Sequence, residues 1–391
     1  MPQGRALLLV PEAPYPMHGG GALRSASILS YLAPRYEVDV IVFREPGAPD
    51  PALLFPAGLA REIHVLDLPY HRKDPISRTA RNALRLARGI PPLVDRFSGF
   101  AASVAAFVQG RRYEVAVIEH FWCAPYWEQI APVSRRTVLN MHNIESVLHA
   151  RCASSELGPQ ALAHSIFHRA ARDLEAAWLP RYEQVLTAST EDARIARLIA
   201  PGAKVTVYPN AIPFVPRLAA IERDVVAFSG NLAYHPNVSA ARYFHNEIWP
   251  VLRERWPALV WRLIGKNPGG VRQHTNGDSR IELSGAVESA IAELAAAKVV
   301  VVPLLTGSGT RFKVIEAWAA GRAVVSTTIG AEGLPARHAE NLLIADDAWR
   351  FADSVSRLLT NSALRARLGE TGRALFESEF TWEAAWRKLD L

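Results

Sequence analysis

Strand-like and helix-like stretches alternate along this 391-residue chain from end to end, and that alternation limits the fold more than any other feature. Ala6–Ala13, Val38–Phe43, Ile63–Leu68, Val115–Phe121, Thr137–His142 and Gln184–Ser189 read as strands, with helical stretches between most of them. A second series runs through Val225–Gly230, Val260–Gly265, Ile281–Gly285, Val299–Leu305, Ala323–Thr327 and Asn341–Ala345. Apolar runs without alternation suit strands buried on both faces, and repeated βα units give a parallel sheet covered by helices. Between the two series lies Pro213-Phe214-Val215-Pro216, whose prolines suit a linker. The length also exceeds what one ordinary core accommodates. The expectation is an α/β protein of two Rossmann-like β/α/β domains, over 1–213 and 217–375, facing each other across a cleft. Residues 376–391, with the amphipathic FTWEAAWRKL, are expected to form a C-terminal helix tying the domains together.

Composition removes several classes. The chain is 49% hydrophobic and 21% charged, which is globular rather than disordered. No apolar run reaches the roughly 18 residues of a bilayer span, and the N-terminus lacks a secretory pattern. A cytoplasmic protein is expected, either free or peripheral on the inner face of the membrane. Only Cys123 and Cys152 occur, with no CxxC or His/Cys cluster, which argues against a disulfide framework or structural zinc.

The net charge of +6 concentrates between Arg72 and Arg96, with seven Lys/Arg against two Asp. Arg78, Arg81, Arg85 and Arg88 follow 3-4-3 spacing and share one helix face. That face either meets an anionic membrane or acceptor, or is simply solvated. No aromatic platform interleaves the charge, so nucleic acid is not expected.

Ligands of open α/β sheets bind beyond the carboxyl ends of strands, which ranks the remaining motifs by position. VPLLTGSGTRFKVIEAWAAG, Val302–Gly321, reads as a strand end, a glycine turn and a helix to about Ala320 capped by Thr310, with Gly321 past its end. Free amides at such a helix start, with Arg311 and Lys313 beside it, suit a diphosphate, and the Glu316 carboxylate suits ribose hydroxyls. A plain αβ loop with a Lys313–Glu316 surface pair is the simpler alternative. In the first series, Gly19-Gly20-Gly21 precedes a helix carrying Arg24, and three glycines let backbone approach a ligand closely. His120 ends VAVIEHF, and His142 with Asn143 ends TVLNMHN. Asn231 and Asn237 follow the first strand of the second series, and Lys266 and Asn267 the second.

These residues resemble retaining glycosyltransferases of the family-4 type, which have the two-domain GT-B architecture. The likeness runs through the glycine loop with Arg24, Glu119-His120, HNIE at His142–Glu145, TAST-ED at Thr187–Asp192 and VYPNAI at Val207–Ile212. It continues through FSGNLAYHPN, WRLIGKNP, GSGTRFKVIEAWAAG and AVVSTTIGAEGL. The resemblance implies a nucleotide-sugar donor, of UDP or GDP type, held mainly by the second domain. Its diphosphate would lie against Arg311, Lys313 and the amides of Gly309–Thr310. Glu316 matches the second glutamate of a Glu-x7-Glu motif that binds the ribose, and backbone at Ala286-Val287 would contact the base. Gly20 and Gly21 would approach the β-phosphate. His120 would face the transferred sugar, with Arg24, His142 and Asn143 on the acceptor side. Two positions depart from the pattern: Ser308 replaces the first glutamate, and Asn231 replaces an arginine that helps hold the diphosphate.

No Asp-x-Asp tripeptide occurs, so a metal-independent transferase of hexosyltransferase type is expected, with no cofactor. Fixed cations and amides would stabilise the leaving diphosphate. His120, Arg311 and Lys313 are the expected catalytic groups. The acceptor would belong to polysaccharide, glycolipid or glycosylated natural-product biosynthesis. A sugar-nucleotide epimerase on the same architecture, or a non-catalytic sugar-nucleotide or membrane-surface binding protein, are the rival readings.

Overall fold

The computed structural model describes residues 4–17, 19–72, 74–155, 158–275, 277–307 and 311–391. The chain divides into two compact units, Met1–Asn210 with Trp386–Leu391, and Ala211–Ala385.

The first unit is built on a seven-stranded sheet ordered β3-β2-β1-β4-β5-β6-β7. Its strands are β1 (Arg5–Val10), β2 (Glu37–Arg44), β3 (Glu62–Asp67), β4 (Val115–Glu119), β5 (Thr137–Asn140), β6 (Gln184–Thr187) and β7 (Val205–Val207). The second unit carries six strands ordered β10-β9-β8-β11-β12-β13: β8 (Arg223–Ser229), β9 (Val260–Ile264), β10 (Ile281–Leu283), β11 (Ala297–Val302), β12 (Ala323–Ser326) and β13 (Leu343–Ile344). Every strand pairing in both sheets is parallel. Both orders contain the Rossmann 3-2-1-4-5-6 sequence, with its crossover beside the first strand. All twelve expected strands are present. The three-residue β7, too short to stand out from its loop, was not expected.

The central strands are apolar for a visible reason. Leu7, Leu8, Leu9, Val117, Ile118, Val300 and Val301 have no exposed surface, so each sheet is covered on both faces. Core aromatics of the second unit, such as Phe244 on Trp261 at 4.7 Å, fill the layer beneath its helices.

Two boundaries differ from expectation. The helix after β11 covers Phe312–Ala319, with Arg311 rather than Thr310 at its cap position; Gly321 does terminate it in left-handed geometry, at φ 67°. Ser308, Gly309 and Thr310 lie outside the described residues. The C-terminal segment is not one long helix. It forms a short helix, Trp382–Trp386, and its last six residues group with the first unit. Trp386 Nε1 donates to the carbonyl and hydroxyl of Ser27 at 3.1 Å each, and its ring meets Tyr31 edge-on.

The basic helix spans Pro75–Arg88, capped by Asp74. Arg85 is committed to Asp95 at 2.7 Å, and Arg81 donates to the Arg72 carbonyl, so this face is partly internal to the protein. Arg88 is exposed, and the side chain of Arg78 lies outside the described residues. Among the described residues, no helix is long and apolar enough to cross a membrane.

Candidate functional site

In the second unit, the carboxyl ends of β8 and β9 each turn at a glycine that no other residue can replace without strain. Gly230 has φ 144° and Gly265 φ 142°. A Cβ on Gly265 would collide with the Gly230 carbonyl, and one on Gly230 would press on the Asn237 amide. The two loops therefore lie backbone to backbone. They are knit further by Asn267 Nδ2 donating to Asn231 Oδ1 at 2.9 Å and by Leu232 N donating to the Lys266 carbonyl. Asn231 Oδ1 also accepts from Ala233 N, so this side chain holds its loop in shape.

Helix Phe312–Ala319 sends Lys313 under that pair of turns. Its Nζ donates to Asn237 Oδ1 at 2.8 Å, lies 5.0 Å from the centre of the Phe228 ring, and would sit 3.4 Å from a Cβ on Gly230. Burial pushes the ammonium down to about 8, partly offset by Glu316. One turn along, Glu316 accepts from Ser229 Oγ at 3.1 Å, and burial raises its carboxyl above the usual range. Lys313 and Glu316 thus have separate partners instead of the simple surface pair. Arg311 behaves differently. Its side chain is buried, Nε donates to the Ile329 carbonyl at 3.2 Å, and its guanidinium packs against Gly307 and lies 3.5 Å from Glu332. It braces the loop it belongs to, whereas Lys313 reaches the glycine turns. Val287 is half-buried just past β10. Tyr234, exposed beside Asn231, was missed in the sequence because a lone tyrosine in a loop carries no pattern.

In the first unit, the carboxyl ends of β4 and β5 gather a buried polar network. Glu119, the last residue of β4, is fully buried and accepts from Asn140 Nδ2, from Ser25 Oγ at 3.2 Å and from His142 Nε2 at 2.6 Å. Desolvation raises its carboxyl. Arg24 is not on an acceptor-facing surface, as the resemblance implied. It is 1% exposed, with its guanidinium spent on Asn140 Oδ1, the Tyr208 carbonyl and Asn210 Oδ1. Burial lowers its pKa, which neighbouring Glu119 opposes. A long side chain one turn inside a helix reaches the strand ends beneath as easily as solvent, and the sequence does not separate the two.

His120 follows Glu119 in a left-handed conformation, φ 62°, that costs a non-glycine residue strain and often marks function. It is buried, its Nε2 has no hydrogen-bond partner among the described residues, and burial together with His142 holds it well below the usual histidine range. Its Nε2 lies 3.7 Å from where a Cβ on Gly21 would be, in the first turn of helix Gly20–Leu32. Gly21 therefore sits between His120 and the Glu12 carboxylate, with Gly20 just before it at the start of that helix. His142 is half-buried with Asn143, two residues beyond β5, and its ring turns back onto Glu119 and His120. Glu119 was legible as a lone acid ending an apolar strand, which needs a partner when buried.

Two parallel sheets of this order in one chain define a protein of the GT-B fold. Residues 223–361, within the second unit, match the family model described as Glycosyl transferases group 1. The chain superposes on sucrose-phosphate synthase from Thermosynechococcus elongatus with a TM-score of 0.72 at 20% identity, covering 98% of this chain and 96% of that one. It is similar to Anabaena HepE, solved in complex with UDP and glucose, with a TM-score of 0.66 at 13% identity over 98% and 97% of the chains. S. aureus TarM, in a complex that includes UDP, gives 0.68 at 10% identity, over 98% of each chain. A Klebsiella pneumoniae protein described as an uncharacterized 44.6 kDa protein in the cps region is 28% identical over 138 residues, which is 33% of this chain and 36% of that relative. The match thus spans about a third of the curated relative's length.

Proposed function

We propose that this protein is a retaining, metal-independent glycosyltransferase of hexosyltransferase type, moving a sugar from a UDP- or GDP-linked donor to an acceptor hydroxyl. The acceptor belongs to polysaccharide, glycolipid or glycosylated natural-product biosynthesis, and the protein works in the cytoplasm or at the inner membrane face. The observation that carries this reading is Lys313, an ammonium fixed by Asn237 beside the Gly230 turn at the carboxyl edge of a Rossmann-like sheet. Tight backbone turns at a strand end and one immobile cation beside them suit a diphosphate. At neutral pH an ammonium with its pKa near 8 is still mostly charged. A charge already in place stabilises the leaving nucleoside diphosphate without reorganisation. Glu316, one turn away, suits the ribose hydroxyls. That neighbours are solved with UDP or UDP-glucose supports a UDP donor first.

His120 has a neutral ring with an unpaired nitrogen, which suits accepting or orienting the acceptor proton. A departing phosphate oxygen is the other proton acceptor. Calorimetric binding of UDP and GDP, then mass spectrometry and NMR of products from a sugar-nucleotide panel, tests the reading. Nucleotide binding with transfer and an unchanged anomeric configuration is the expected result. Conversion of donor without acceptor would mark an epimerase, and binding with no turnover of any donor would mark a binding protein.

A further inference from the structure

The His120 ring is held in a sandwich. Trp122 stacks on one face at 4.1 Å between ring centres and 12° between planes, and His142 lies at 3.5 Å and 29°. The column continues to Phe97, parallel to Trp122 within 5° at 5.7 Å. Carboxylates pin both neighbours: Glu119 holds His142, and Glu145 Oε2 accepts from Trp122 Nε1 at 3.0 Å. Glu145 is itself 2% exposed, at the first residue of helix Glu145–Ser155. A ring cannot hydrogen-bond to the ring stacked on its face, so neither neighbour passes a proton to His120. They fix its plane instead.

We infer that Trp122, anchored by Glu145, is a positioning residue that clamps the plane of the His120 ring, so that Nε2, beside Gly21 and the Glu12 carboxylate, is aimed in one orientation for the acceptor hydroxyl. This rests on the reading that His120 serves transfer. An off-line ring nitrogen loses rate steeply, because a reacting group displaced by about 1 Å can cost 100-fold. The charged and titratable groups around the ring are Glu119 of β4, His142 after β5, Arg24 of helix Gly20–Leu32 and Glu12 beside Gly21. Trp122 contributes no charge, so its effect on His120 is through contact and exclusion of water.

Histidine-selective NMR of the full chain, without substrate, reads the clamp directly. In the wild type His120 should stay neutral, in one tautomer, between about pH 6 and 8. Trp122→Ala should move its midpoint upward toward the ordinary value and average its tautomers, while Trp122→Phe, which keeps a stacked ring, should preserve the wild-type pattern. Glu145→Ala frees the indole without removing it and should shift His120 the same way by less; it also serves if Trp122→Ala does not fold. With donor and acceptor, Trp122→Ala should lower kcat about 10- to 100-fold with KM changed by less than about two-fold, rescued by Trp122→Phe. A His120 signal unmoved in both Trp122→Ala and Glu145→Ala, or a kcat loss that Trp122→Phe fails to rescue, overturns the clamp. Full transfer by His120→Ala overturns the functional reading instead, and because the NMR needs no substrate the two failures are distinguishable.

Discussion

The proposed function has Lys313 and Glu316 divide the work of holding a nucleotide, and each makes a separate prediction. A charge-assisted contact contributes about 1.5–3 kcal/mol, so Lys313→Met should weaken UDP or GDP binding about 10- to 100-fold. Wild-type affinity should fall as pH rises through about 8, because the ammonium is charged below that point and neutral above it. Calorimetric titrations from neutral to alkaline pH should show this slope in the wild type and lose it in Lys313→Met. Glu316→Ala should weaken nucleoside diphosphate binding while leaving inorganic pyrophosphate unaffected; equal losses for both ligands would reject the ribose role. Arg311→Ala should act on loop stability as well as turnover, since its contacts run to Ile329, Gly307 and Glu332. At this scale the sequence was legible in part. A strand end picked out His120 and the helix after a glycine turn picked out Lys313 and Glu316, but neither showed that Arg24 turns inward or that Trp122 lies on His120. Both depend on side-chain direction, which spacing along a strand or helix does not encode.

Among the elements, the pair of helices Glu145–Ser155 and Pro159–Trp178 carries a buried acid. Glu175 accepts from Ser146 N and Oγ, and burial pushes it up to about 7. The folded form therefore holds a proton that the unfolded chain releases near 4.3. Stability from this group is fully present below the unfolded value and is lost as pH rises through about 7, by up to about 3 kcal/mol. His149, depressed to about 4, has the opposite sign: its contribution is present above about 6.5 and lost as pH falls through 4. Calorimetry should show the wild-type Tm falling from about pH 4.5 to 7 more than that of Glu175→Gln. Strand placement was almost fully legible because buried parallel strands are continuous apolar runs, whereas β7 is three half-buried residues with no such signature. The glycine turns carry a sharper element-level test. Gly265→Ala forces a Cβ into the Gly230 carbonyl at a left-handed φ and should cost about 2–4 kcal/mol, read from denaturant unfolding.

Over the whole molecule, the two-unit organisation was legible from two βα series and a proline-rich connection. The seat of the chain's end on Ser27 and Tyr31 was not, because FTWEAAWRKL is amphipathic enough to suit many docking partners. Trp386→Ala should remove its bonds to Ser27 and the edge contact with Tyr31, costing about 1–3 kcal/mol. Hydrogen exchange should then rise in helix Gly20–Leu32 and stay unchanged in Phe312–Ala319. Ile212 N donates to the Phe380 carbonyl and Trp382 N to the Ile212 carbonyl, at 3.0 Å each, so the second unit's first and last segments run side by side. In topological terms the second unit is a cassette inserted into the first, with entry and exit at one seam. Excised at that seam, residues 211–385 have no distant ends to reconnect, and the unit can be exchanged as one uninterrupted stretch of gene.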